Sequence, residues 1–208
     1  METRPVVAIV LSFALSLAGC AMQARSPKYY MLDLPSPPSS AAHPTLGTIV
    51  VREFDAASFL RGGRIAYRES PTQLGFYEYH RWAVDPRRSV TDAVVREVQS
   101  LGNFRSVALY DGQGTPEFLL TGTIDHLEEV DSGTGVSVTV ALSARIIDVK
   151  TGEVLWHGDS GQSAQLDQHS LPGVVERLSV ETNLAVRNLA VSIRDRLVTV
   201  TAAAGGSR

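Results

Sequence analysis

Three kinds of side chain in this 208-residue chain could do chemistry: one cysteine, five histidines, and a serine set between glycine and aspartate. The serine lies in Gly158-Asp159-Ser160-Gly161, and the histidine offered as its base is His43, in Ala41-Ala42-His43. His43 falls in a Pro/Ser-rich stretch, so nothing in the sequence holds it rigidly near Ser160, as a base and its nucleophile require. Ser160 therefore reads as a polar strand end after Trp156. The histidines are His43, His80, His126, His157 and His169. No two stand at helical i, i+4 spacing and no HExxH occurs, so no metal site is expected. His126 and His157 fall on adjacent predicted strands and could meet, but read as surface or satisfied core histidines. No GxxxxGK[ST] phosphate loop is present. Catalytic residues, metal and cofactor are thus all expected to be none. Cys20 is the only cysteine, which rules out a disulfide within the chain. A free thiol would be a liability in an oxidising compartment.

What precedes Cys20 gives the thiol a use. Arg4 is the one positive side chain near the start, and Val6 to Ala18 is almost wholly apolar. That run suits the core of a signal peptide and falls short of the ~20 residues needed to span a bilayer as a helix. Leu17-Ala18-Gly19-Cys20 resembles the lipobox of bacterial lipoproteins. The resemblance implies diacylglycerol on the Cys20 sulfur, cleavage after Gly19 and acylation of the new amine. Several acyl chains, at ~0.8 kcal/mol per buried methylene, anchor stably where one does not. Residue 21 is Ala rather than Asp, which resembles the pattern permitting transfer to the outer membrane. The rest of the chain would then face the periplasm.

Residues 1–19 are therefore expected to be a signal peptide. Residues 20–46 would be a lipidated tether, a first strand at Tyr29 to Leu34 and a mobile Pro/Ser-rich linker, 47–201 the folded domain and 202–208 a disordered tail. The whole chain carries 44% hydrophobic and 20% charged residues and a net charge of -3, which suits one ordinary core. No basic excess points to nucleic acid. Strands are expected at Thr48–Phe54, Arg64–Glu69, Gly75–His80 and Phe104–Leu109. Asp85-Pro86 suits a helix start, Val90, Val94, Val98 and Leu101 share one helix face, and Gly102 suits its end. Glu117–Val130 should pair with Val136–Ile146, whose even positions are all apolar, followed by a turn with Gly152 at positive φ and a third strand from Glu153. Ser170-Leu171-Pro172 opens a long helix with a stripe through Leu171, Val175, Leu178, Thr182, Ala185, Leu189 and Ile193. The pattern predicts an α/β domain with a mixed sheet and two main helices, both on one face or one on each.

The run Phe76-Tyr77-Glu78-Tyr79-His80-Arg81-Trp82 leads into the first helix. It reads either as a core strand with a wet tyrosine side or as an interface, since Tyr, Trp and Arg are common anchors. On the second reading Tyr77, Tyr79, Arg81 and Trp82 bind a partner. The order of pieces is a lipobox, Tyr29-Tyr30-Met31-Leu32, Ile65-Ala66-Tyr67-Arg68, Tyr77-Glu78-Tyr79-His80-Arg81-Trp82, then Asp148-Val-Lys-Thr-Gly152-Glu-Val-Leu-Trp156. It resembles the ABC-type transport auxiliary lipoproteins, the PqiC-like group, over nearly the whole chain after Cys20. That resemblance implies a three-layer α/β/α fold like the TolB N-terminal domain, with one helix on each face. It implies a non-enzymatic part in lipid traffic between membranes, beside an MCE-domain periplasmic protein and an ABC transporter. Ring-shaped partners would favour self-association. An assembly or regulatory envelope lipoprotein, such as a cell-wall synthase activator or an outer-membrane assembly factor, is the alternative.

Overall fold

The computed structural model describes residues 26–205 apart from 41, 42 and 134, with side chains as far as residue 199. Cys20 and the segment before it lie outside the described residues. The strands are β1 (Lys28–Tyr30), β2 (Leu46–Val51), β3 (Asp55–Ala56), β4 (Arg64–Ser70), β5 (Gln73–Trp82), β6 (Phe104–Leu109), β7 (Phe118–Asp131), β8 (Val136–Asp148) and β9 (Val154–Gln165). The helices are α1 (Pro86–Ser100) and α2 (Leu171–Gly205), and a 3-10 turn covers Ser58–Gly62.

β7 is the spine of one mixed sheet. Along one edge it pairs antiparallel with β8, from Phe118↔Asp148 to Asp131↔Val136, and β8 pairs with β9. The other edge takes three parallel strands in succession: β2 at Phe118–Leu120, β3 at Thr123–Ile124 and β4 at Glu128–Val130. The sheet then forks. β6 extends it beyond β2, while β5 and then β1 extend it beyond β4.

Alternation explains the core. Val138, Val140, Leu142 and Ile146 of β8 are fully buried, opposite Leu127, Ile124 and Leu120 of β7. Every residue of the expected α2 stripe is buried, from Leu171 to Ile193. A fully buried side chain of this kind contributes about 1.5–3 kcal/mol, so this stripe holds α2 across β8 and β9. Ser170 opens the helix, its Oγ accepting from the Gly173 N–H at 3.3 Å. Asp85 opens α1 in the same way, its Oδ1 accepting from the Arg87 N–H at 2.9 Å. Hydrogen bonds from Arg87 hold the Asp85 carboxyl below the usual carboxylate range. Gly152, at φ 74°, closes the turn between β8 and β9.

The α/β class, the mixed sheet and the two main helices are as expected, but the helices are not divided between the faces. α1 lies over β2 and β6 and packs against α2, which lies over β8 and β9, so both share the side of the sheet that carries Leu120 and Leu142. The other side is polar, and near β4 the Ser58–Gly62 turn lies on it, with Phe59 against Arg68. The expected first strand stops at Tyr30. From Met31 the chain becomes a strap over the helix pair. Leu32 is buried, Asp33 N donates to Ser179 Oγ (3.1 Å), Arg96 donates to Leu34 O (2.9 Å), and Ser40 N donates to Ser100 O (2.7 Å). The stretch expected as a mobile linker is thus held to both helices just before it, at Asp33 and Leu34, and to α1 within it, at Ser40. α2 also continues to Gly205, into the stretch expected as a tail. Among the described residues, no helix is long and apolar enough to cross a membrane.

Candidate functional site

The aromatic run forms β5, whose pairing with β4 is irregular. Ala66 lies opposite Phe76 and Tyr67 opposite Gly75, yet Arg64 lies opposite Arg81. That irregularity separates the four residues expected to act together. Trp82 is 6% exposed and belongs to the core, so it offers a partner no surface. Tyr79 and Arg81 are half-buried.

Tyr77 turns toward the helix side. Its hydroxyl donates to Glu129 Oε2 (2.7 Å) and lies 3.2 Å from His169 Nε2. Its ring packs 5.1 Å from Tyr67 and edge-on to His80 at 5.7 Å. His80 Nδ1 meets the Tyr30 hydroxyl at 3.1 Å. His169 Nε2 lies 3.1 Å from Glu129 Oε1. Tyr30, Tyr67, Tyr77, His80, Glu129 and His169 therefore converge from β1, β4, β5, β7 and the segment before α2. Glu129 is 2% exposed, so its charge depends on the donors Tyr77 and His169 in place of water. The cluster clamps the edge of the sheet to the start of α2.

Burial first, then the bond to Glu129 and that carboxylate's charge, push the Tyr77 phenol above its ordinary value near 10. The folded phenol keeps its proton to higher pH than the unfolded one. The stability this contributes is complete below about pH 10 and is lost as pH rises through the folded value. Tyr77→Phe is expected to flatten that alkaline decline, and to lower neutral-pH stability by about 1–3 kcal/mol because Glu129 loses a donor. Urea unfolding followed at neutral pH and above about pH 10 reads both effects. An unchanged alkaline limb would refute the assignment.

On the opposite face Glu128, 1% exposed, accepts from Arg68 Nε at 2.6 Å, and His126 Nδ1 lies 3.2 Å away. Further along, Arg52, Asp55, Thr123, Arg145, His157 and Asp159 border a shallow polar groove of about 660 Å³. His126 and His157 do not meet. His126 aligns through Ala141 with Gly161, four residues from His157, or about 13 Å along the strand. Among the described residues no group of three or more His, Cys, Asp or Glu is placed to hold a metal ion. Ser160 is buried at 8% exposure on the side of β9 that faces α2, where a nucleophile has no access to substrate. His43 is exposed ahead of β2.

The sequence analysis missed Glu129 and His169 as cluster members. One signal was available: Glu128-Glu129 places consecutive carboxylates in a strand, so one must face each side of the sheet.

The family model described as the ABC-type transport auxiliary lipoprotein component matches residues 30–192. Protein XCC0632 from Xanthomonas campestris superposes with a TM-score of 0.70 at 17% identity, over 87% of this chain and 100% of that one. A second crystal structure, of an uncharacterized protein, superposes at 0.64 with 16% identity, over 81% and 99%. At these identities the likeness shows a shared fold. None of the curated proteins matches the chain.

Proposed function

The chain belongs to the ABC-type transport auxiliary lipoprotein family, and from that membership we propose a non-enzymatic, lipid-anchored role in intermembrane lipid transport. Lipid on Cys20 holds the protein to the periplasmic face of the outer membrane. The domain docks an MCE-domain protein that works with an inner-membrane ABC transporter. The observation that carries this reading is the family match over residues 30–192, with Leu17-Ala18-Gly19-Cys20 ahead of it. The buried Ser160 and the absence of a phosphate loop agree with an adaptor, with ATP hydrolysis done elsewhere. Tyr79 and Arg81 stay half-accessible at the edge of the aromatic cluster and are the remaining docking candidates of that run.

Two measurements test the proposal. Labelled palmitate should enter the wild-type protein and not the Cys20→Ser variant, and the label should fractionate with the outer membrane. Affinity purification from detergent-solubilised envelopes should recover an MCE-domain protein. Recovery of a cell-wall synthase or an outer-membrane assembly factor in its place would favour the assembly reading and overturn this one.

A further inference from the structure

Large apolar side chains are normally scattered when exposed, and a contiguous group marks a contact. Tyr29 and Met31 are each 61% exposed, Val180 is 45% exposed and Leu184 is 40% exposed. Val180 and Leu184 are neighbours at i, i+4 on α2. With Met31, Pro35, Pro172 and Val175 they line one groove of about 570 Å³ between the strap and α2. The groove is mostly apolar, with Asp33 and Glu176 among its polar lining. This face borders the Glu129 cluster at Tyr30 and is separate from the groove on the other side of the sheet.

We propose that the face carrying Met31, Val180 and Leu184 rests on the bilayer that holds the lipid on Cys20. The inference builds on the anchor proposed above. Tyr29 follows Cys20 by nine residues, and an extended chain spans at most about 3.3–3.6 Å per residue. The face, which Met31 joins two residues later, therefore stays within roughly 40 Å of the anchor. The nearest apolar phase is the membrane. Tyr30, in the same groove, suits the headgroup level, and Met31, Val180 and Leu184 suit the acyl boundary below it. Lys28, exposed beside Tyr29, adds attraction to anionic headgroups. The contact would orient the domain, not only tether it.

The test uses the full lipidated protein in vesicles of phosphatidylethanolamine with a minority of phosphatidylglycerol. Met31→Cys and Leu184→Cys each carry an environment-sensitive fluorophore, the Cys20 sulfur being occupied by lipid. Val149→Cys is the control. It is 40% exposed and lies beyond the Phe118 end of β7, about 35 Å along the strand from Glu129. Spin-labelled lipid should quench positions 31 and 184 several-fold more strongly than position 149. Equal, weak quenching at all three, in protein that still floats with the vesicles, overturns the inference and leaves the anchor standing. Shielding of 31 and 184 from water without quenching by lipid assigns the face to a protein partner and also overturns it. A purified wild-type mass without acyl chains removes the anchor, and the inference falls with it.

Discussion

Replacing Phe54 with alanine is expected to destabilise the domain by about 3–5 kcal/mol, close to the upper end for a single truncation. Phe54 is 1% exposed and lies between β2 and β3, directly before Asp55. Its ring fills the space over Gly122 of β7, so closely that a Cβ built at Gly122 would overlap it. Its N–H donates to Thr91 Oγ1 of α1 at 2.9 Å, and that hydroxyl in turn donates to Arg87 O at 2.7 Å. One residue thus joins β2, β7 and α1, and no neighbour can refill the volume without moving the backbone. Gly122→Ala should cost about 1–3 kcal/mol by overpacking. The two changes should couple, because alanine at 54 frees the space that a Cβ at 122 needs. In a double-mutant cycle read by urea unfolding, the combined loss should fall below the sum of the singles by more than about 0.5 kcal/mol. Strict additivity would show that the ring and the glycine do not constrain each other.

The parts legible in the sequence were those with a strong local period. The stripe from Leu171 to Ile193, the alternation of β8 and the Asp85-Pro86 start need only nearby residues to be read, and all three are present. Placement between distant parts was not legible. A helical stripe says that a helix covers a sheet but not which side, so the shared face of α1 and α2 could not be chosen over a divided one. The strap shows a second limit. Pro35 to Pro38 has the composition of a linker, yet Leu32 and Leu34 just before it give the chain two apolar holds on the helix pair. The aromatic run shows a third. Strict alternation from Tyr77 would group Tyr79 and Arg81 with it on one face and put Trp82 on the other. The irregular pairing between Ala66↔Phe76 and Arg64↔Arg81 breaks that parity and sends Trp82 into the core. A bulge leaves little trace in a single sequence, because it depends on a partner strand that is distant in the chain.

The Glu128-Glu129 pair leads to the other large effect. Each carboxylate is buried on its own side of β7, but their partners differ. Glu129 is held by Tyr77 and His169, whereas the one full cation bonded to Glu128 is Arg68, whose side chain is 22% exposed. Glu128 Oε1 receives both Arg68 and His126, and Oε2 has no hydrogen-bond partner among the described residues. Desolvation of this carboxylate is therefore offset mainly by one guanidinium. Arg68→Ala is expected to cost about 3–5 kcal/mol, since it leaves a buried charge without its counterion. Most of that cost belongs to the stranded carboxylate rather than to the attraction lost. Adding Glu128→Leu to Arg68→Ala should therefore recover much of the stability, because the pair together is worth little more than apolar packing of similar volume. Urea midpoints of the two single variants and the double variant decide the matter. If the double variant is no more stable than Arg68→Ala alone, the penalty lies in lost packing of the Arg68 stem against Phe59, and Glu128 is not the group that needs it.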